Sequence, residues 1–330
     1  MVIATRERPR LLTACLEALE RQTLDRFRVI VIDDGSGIPV AGSLPSLSGA
    51  NRSLVVLRNE SPVGPAASRN RAVETAGAPY LLFLDDDVRA HPELMAHHRA
   101  VFARHPGAVV SLGSLRSPPG ARLPPWDLWQ ADRLAREEER LIRGEAAPSW
   151  SHLYTGNVAV RRADFEATGG FDPALTRQED MELGYRLSRL GCSFVFEPGA
   201  VAWHHARHSL EDWLRIPAAN ARCDVLIDRL QPGSRRLDEV RRGLRERHWL
   251  LRAARRAFVR PRAGRAAERL AIAAGAGLYR AGADREALLA FSLVWDLEYT
   301  RALAAATAAA AMPSPAAARG TEPPSNPSRR

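Results

Sequence analysis

Tyr80-Leu81-Leu82-Phe83-Leu84-Asp85-Asp86-Asp87 is an apolar run that ends in three consecutive carboxylates. Val29-Ile30-Val31-Ile32-Asp33-Asp34-Gly35-Ser36 has the same form earlier in the chain. Short apolar and β-branched runs bounded by turn residues read as buried strands. Further runs lie at Val2-Ile3 and Leu54–Leu57. Helical patterns separate them: Leu11, Leu12, Cys15, Leu16 and Leu19 recur at helical spacing, and residues 66–76 read as a second helix. Strands alternating with helices predict a parallel sheet with crossover helices, an α/β fold.

Outward from this core the pattern changes. Pro118, Pro119, Pro124 and Pro125 bracket a loop, and a helix is expected over 127–143. Its Glu137-Glu138-Glu139 run reads as a solvated face. Asn157–Val160 and Ser193–Phe196 read as strands, and 179–190 as a helix closed by Gly191. Residues 216–312 are alanine-rich and helical in pattern, and 313–330 are Pro/Ser-rich and expected to be disordered. The expected organisation is a catalytic domain over 1–215, built as 1–112, a variable segment 113–150 and 151–215. A helical basic region over 216–312 and the tail follow.

Composition narrows the class. With 45% hydrophobic and 26% charged residues, the chain suits a large globular core. Cys15, Cys192 and Cys223 are three, far apart and without a CxxC pair, so neither a disulfide framework nor a zinc site is expected. No run is long and apolar enough to span a bilayer, and no signal peptide is visible; a cytoplasmic protein is expected. All 47 basic residues are arginine, and the net charge of +9 comes from the C-terminal region. That argues against a nucleic-acid footprint spread over the whole protein.

The chemistry gathers at strand ends. In an open α/β sheet, ligands bind beyond the carboxyl ends of the strands. Asp33-Asp34 and Asp85-Asp86-Asp87 both fall there. Crowded carboxylates repel one another unless a cation or polar ligand offsets the repulsion. Hard oxygen ligands of this kind suit Mg²⁺ or Mn²⁺ with a substrate phosphate; the alternative reading is turn or helix-capping aspartates. Glu179-Asp180 opens a helix, where acids are also favoured by the macrodipole. Arg69 begins another helix, and His204, His205 and His208 follow a strand.

Taken in order, these pieces resemble the family 2 inverting glycosyltransferases of the GT-A fold. Val2 to Pro9, Val31 to Ser36, Asn59 to Asn70, Leu82 to Asp87 (the DxD motif), Gly156-Asn157, Gly169 to Leu187 (the Glu-Asp region) and Pro198 to His204 carry the likeness. The resemblance covers roughly residues 1–215 and implies a mixed, mostly parallel sheet flanked by helices; the α-helical C-terminal extension rests on the pattern of 216–312. It implies that Thr5, Arg6, Asp33, Asp34, Arg69, Asp85 and Asp86 bind a nucleotide-diphosphate sugar, uridine being the commonest base. Asp85, Asp87 and His204 would hold Mn²⁺ or Mg²⁺. Asp180, beside Glu179, would be the general base on an acceptor hydroxyl of a glycan or lipid-linked molecule.

The family often has Pro at position 4 and an aromatic at position 6, where this chain has Ala4 and Arg6. A guanidinium plane can take over base stacking. The Gln-x-x-Arg-Trp motif and membrane helices of processive synthases are not visible, so single-sugar transfer is expected. Two other readings stand beside this one: a nucleotidyltransferase, against which the Gly-free Thr5–Pro9 loop argues, and a non-catalytic nucleotide-sugar or membrane-surface binding module. Leu244–Arg260 reads as one basic amphipathic helix. It is expected either to lie on an anionic membrane or to pack its apolar stripe on the catalytic domain. Trp126, Trp129 and Trp150 line either an acceptor site or the core.

Overall fold

The computed structural model describes residues 1–45, 47–258 and 261–311; the expected disordered tail lies outside them. The quoted runs form β1 (Val2–Thr5), β2 (Phe27–Asp33), β3 (Arg52–Arg58) and β4 (Tyr80–Asp85), all parallel in the order β3-β2-β1-β4. Val29 to Ile32 are buried at every position, as befits a sheet covered on both faces. The helices α1 (Pro9–Glu20) and α2 (Pro65–Glu74) each carry Pro in the first turn, where its fixed φ costs no hydrogen bond.

The sheet continues through β5 (Val88–Ala90), α3 (Leu94–Arg104), β6 (Val109–Arg116), α4 (Pro125–Ile142), β7 (Asn157–Arg161), α5 (Arg162–Ala167), α6 (Glu179–Arg189) and β8 (Ser193–His204). Its eight strands run β3-β2-β1-β4-β7-β6-β8-β5. β7 is antiparallel to β4 and β6, and β5 is antiparallel to β8. One face buries Phe83, Val158, Phe171 and Leu183; the other buries Ile3, Leu16, Val31 and Val101.

Several elements escape the sequence reading. β5, α3 and β6 have broken apolar patterns, and β8 continues well past Phe196. Two of the three acids in the Glu137 run turn inward. Glu138 accepts Ser114 Oγ at 2.9 Å and Arg116 Nε at 2.6 Å, and Glu137 accepts or shares a proton with His152 Nε2 at 2.9 Å. The tryptophans are packing residues. Trp129 is buried edge-on against Trp213 at 5.7 Å, Trp126 faces Phe291 at 6.2 Å, and Trp150 faces Tyr185 at 5.6 Å.

The C-terminal helices are α7 (Leu210–Leu230), α8 (Arg236–Glu246), α9 (Trp249–Phe258), α10 (Pro261–Arg280) and α11 (Asp284–Ala311). The chain divides into two units. Residues 1–213 and 272–292 form the first, and 214–271 with 293–311 the second. Within the second unit, buried Asp224 accepts Arg236 Nε at 2.6 Å and the Tyr299 hydroxyl. The single helix expected over 244–260 is two helices, broken where Arg247 is extended (ψ 153°). Among the described residues no helix is long and apolar enough to cross a membrane.

Candidate active site

Register brings the acid clusters to one edge. Thr5 lies beside Asp33 across β1–β2, and Ala4 lies beside Asp85 across β1–β4. Thr5, Asp33, Asp34 and the Asp85–Asp87 run therefore stand at the carboxyl ends of the central parallel strands or just beyond them, while Arg69 lies in α2, Glu179 and Asp180 open α6, and His204 ends β8.

Asp33 and Asp34 organise those loops. Asp33 accepts the backbone N–H groups of Ser36 and Val40 at 2.9 and 3.2 Å and Arg58 Nη1 at 2.6 Å. Asp34 accepts Asn59 Nδ2, Ser68 Oγ and the N–H groups of Val63 and Gly64, at 2.8 to 2.9 Å. Burial opposes ionisation at both. These donors outweigh it and hold both carboxyls below the usual range. Gly35 is required between them. Its φ is +71°, and a Cβ there would stand 2.7 Å from Pro62 N. Glu7, also left-handed (φ 57°), accepts Gly37 N–H at 2.6 Å and ties the β1 loop to the β2 loop.

The three aspartates after β4 point to three environments. Asp86 turns inward to Thr5 Oγ1 (2.7 Å) and Arg8 Nη1 (3.2 Å), and burial pushes its pKa to about 6. Asp87 lies 3.3 Å from Arg8 Nη1 and 3.3 Å from His204 Nε2, since β5 and β8 pair Val88 with His204. Burial works against both charges of that pair. The partners prevail, so Asp87 sits below the ordinary carboxylate range and His204 above the ordinary imidazole value. Asp85 is a third exposed, and its Oδ1 accepts Arg69 Nη2 at 2.9 Å. Gly156 passes it closely: a Cβ there would meet Leu115 at 3.0 Å and Asp85 Oδ2 at 3.3 Å.

Arg69 joins the two halves. It is buried, donates to Glu179 Oε1 at 2.6 Å as well as to Asp85, and stacks its guanidinium over Phe171 at 5.7 Å. Rather than standing free to meet a nucleotide, it holds the β4 end to the first turn of α6. Glu179 is buried beside it. Asp180 is half-buried and accepts Met181 N–H at 2.8 Å and Thr155 N–H at 3.3 Å. Burial, then the adjacent Glu179 charge, raises its pKa to about 7. Gln178, just before, is left-handed (φ 59°), a conformation that costs a non-glycine residue energy and sets the direction of α6. Arg6 is exposed at the end of β1.

The donor set suits a hard cation. Among the described residues no three His, Cys, Asp or Glu side chains form a ready-made cluster. Mg²⁺ and Mn²⁺, however, usually take one or two protein carboxylates and complete their shell with water and phosphate. Asp87 Oδ1 is buried without a well-formed hydrogen bond, faces His204, and shares this edge with the half-buried Asp85. Beside His204, a cavity of about 30 Å³ is lined by Arg116, Asp127, Gln130 and His208. A larger one of about 670 Å³ opens at the opposite ends of the strands, by Met1, Phe27 and Tyr80, away from the acids.

Sequence reading missed Arg8 and Arg58. The signal for Arg58 is its place at the end of a strand paired in register with the Asp33 strand. It also missed the buried network in which His98 meets Ser111 Oγ at 2.8 Å and Asn157 Oδ1 at 2.9 Å, which fixes β6 and β7 behind the site.

A mixed sheet with acids on the carboxyl edge of its parallel strands, followed by helices, is a GT-A-type architecture. A mannosyltransferase from Pyrobaculum calidifontis, solved with GDP-Man and Mn²⁺, shares it with a TM-score of 0.51 at 17% identity, over 96% of this chain and 76% of that one. That likeness concerns the fold alone. The family model described as glycosyl transferase family 2 matches residues 1–169, and the chain belongs to that family. The chain is 30% identical over 197 residues to a pre-mycofactocin glycosyltransferase of Mycobacterium tuberculosis, covering 58% of this chain and 40% of the relative. It is 33% identical over 220 residues to the validoxylamine A glucosyltransferase of Streptomyces hygroscopicus, covering 58% and 51%. The chain thus spans about half or less of the length of these relatives.

Proposed function

We propose that the protein transfers one sugar from a nucleotide-diphosphate sugar to an acceptor hydroxyl, with inversion and without processive elongation. The observation that carries this reading is the Arg69 bridge. It holds Asp85, on the side where a diphosphate would lie, against the turn that carries Asp180. The names of the relatives and of the solved neighbour support a nucleotide-sugar donor. We take uridine as the base, with Arg6 stacking on it.

Asp180 takes the proton of the acceptor hydroxyl at a carboxylate oxygen. The freed oxygen attacks the anomeric carbon from the side opposite the diphosphate. The bond from that carbon to the diphosphate oxygen breaks, and the leaving group departs with the electron pair. A pKa of about 7 matches a base working near neutrality. Burial, and after it the adjacent Glu179 charge, keeps Asp180 basic, and Glu179 is itself held by Arg69. Asp87, Asp85 and His204 would hold Mn²⁺ or Mg²⁺, which would neutralise charge on the departing diphosphate. Arg8, on Asp86 and Asp87, is the protein's own cation at that place.

The acceptor is a hydroxyl-bearing glycan or lipid-linked molecule, and the basic C-terminal helices are the part we assign to an anionic surface. Cys15, Cys192 and Cys223 are buried free thiols, which supports our assignment to a reducing, cytoplasmic setting.

Thermal shift with UDP-, GDP- and dTDP-sugars tests the donor site, since a ligand bound to the native state raises Tm. The expected result is a Mn²⁺-dependent shift with one nucleotide, lost in Asp87→Ala while its basal melting stays cooperative. No shift with any donor overturns the reading. NMR of the product's anomeric centre tests inversion.

A further inference from the structure

We infer that α9, with the adjacent parts of α8 and α10, docks the protein on the surface of an anionic phospholipid bilayer. This deepens the assignment of the basic helices and stands independently of the donor site.

The first observation is apolar exposure. Trp249 is 62% exposed, Leu250 43%, Phe258 39% and Leu270 72%. Of the stripe read from the sequence, only Leu251 is buried. At roughly 100° per residue, Trp249, Ala253, Ala257 and Leu250 share one sector of α9. Leu251, the one buried residue of the helix, faces the other way, and Ala254 lies between it and Leu250. The helix therefore anchors itself with one narrow face and leaves a second apolar face in solvent. Trp249 and Leu250, left out on one face of the helix, are the mark of a contact surface.

The second observation is charge. Residues 236–270 hold twelve arginines and four acids. Arg242, Arg245, Arg256, Arg265 and Arg269 are exposed, and none has an ion pair among the described residues. Arg252 and Arg255 donate to the carbonyls of Arg245 and Leu244, at 3.3 and 3.1 Å, which fastens α9 to the end of α8. Arg252 and Arg256 border the apolar sector on the Trp249 side.

A phospholipid interface satisfies both features. Phosphate headgroups meet the guanidinium groups while tryptophan and leucine enter the headgroup–acyl boundary. A nucleic acid would meet the charges but leave Leu250 and Leu270 in water. No described helix spans a membrane, so the segment would lie on the surface.

The test uses the full chain and sedimentation with vesicles. One set is phosphatidylcholine alone; the other contains about one third phosphatidylglycerol. Binding is expected only to the anionic set and should weaken as salt rises from about 0.1 M to about 1 M. Trp249→Ser with Leu250→Ser, and separately Arg242→Glu with Arg256→Glu, should each weaken partition at least about tenfold, given roughly fivefold for each basic residue near the surface. All four side chains are exposed, so melting curves should stay at the wild-type position. Four results overturn the inference: equal partition into both sets, partition of both variants at the wild-type level, self-association that buries Trp249 against a second copy, or capture by DNA in preference to vesicles at equal phosphate. Nucleotide thermal shift on the same variants reads the donor site separately.

Discussion

Arg69→Met removes a charge and keeps an apolar stem against Phe171. Arg69 is 6% exposed and makes hydrogen bonds of 2.6 Å to Glu179 and 2.9 Å to Asp85. Breaking a buried pair from one side leaves an unpaired charge and costs about 3–5 kcal/mol. For a unit of this size each kcal/mol lowers Tm by about 2–4 °C, so the first unit should melt about 10 °C lower. Glu179→Gln in the Arg69→Met background removes one stranded carboxylate and should recover part of the loss, a positive coupling in a double-mutant cycle. Differential scanning calorimetry reads the shift and its enthalpy. A loss below about 1 kcal/mol, the range of exposed ion pairs, refutes the bridge, as does strict additivity.

Asp180→Asn should abolish transfer and leave donor-induced thermal shift intact. Since the folded pKa of Asp180 is raised above its usual 3.8, its ionised form is disfavoured in the native state; the variant should therefore melt no lower than wild type above pH 7. In wild type, kcat/KM should rise with pH up to about 7 and fall about tenfold per unit below it, because a base must be deprotonated; a flat profile counts against Asp180. Gly35→Ala should cost about 1–3 kcal/mol in urea unfolding, since its backbone is left-handed and a Cβ would press on Pro62. His98 is buried with its pKa lowered from the usual 6.5 to about 4. The unfolded chain takes up that proton first, so stability should fall by up to about 1.4 kcal/mol per unit from pH 6.5 down to about 4. His98→Gln should flatten that slope, which acid titration of the melting curve reads directly.

The first half of the sheet was legible because its information is local. Val29 to Ile32 and Leu81 to Leu84 are apolar at successive positions, as strands buried on both faces must be. Their aspartates sit immediately after, at the strand ends where a ligand edge forms. The second half was less so. β6 contains Ser111, Gly113 and Ser114, and α3 contains His97, His98 and Arg99. The burial of Ser111, Ser114 and His98 is settled by partners far along the chain, such as Asn157, and not by their own period.

The site divides in the same way. Residue order places the carboxylates at the carboxyl edge and an acidic turn at the start of α6, since residue type and strand end lie within a few positions of one another. What each group does there follows from long-range packing. Arg69 and Glu179 are 110 residues apart, and only the sheet order and the direction of α6 bring them to 2.6 Å. The same packing turns Asp86 inward and sets Asp87 against His204. Charge pairing, desolvation and exposure belong to the folded arrangement, because each depends on which distant atoms displace water from the group.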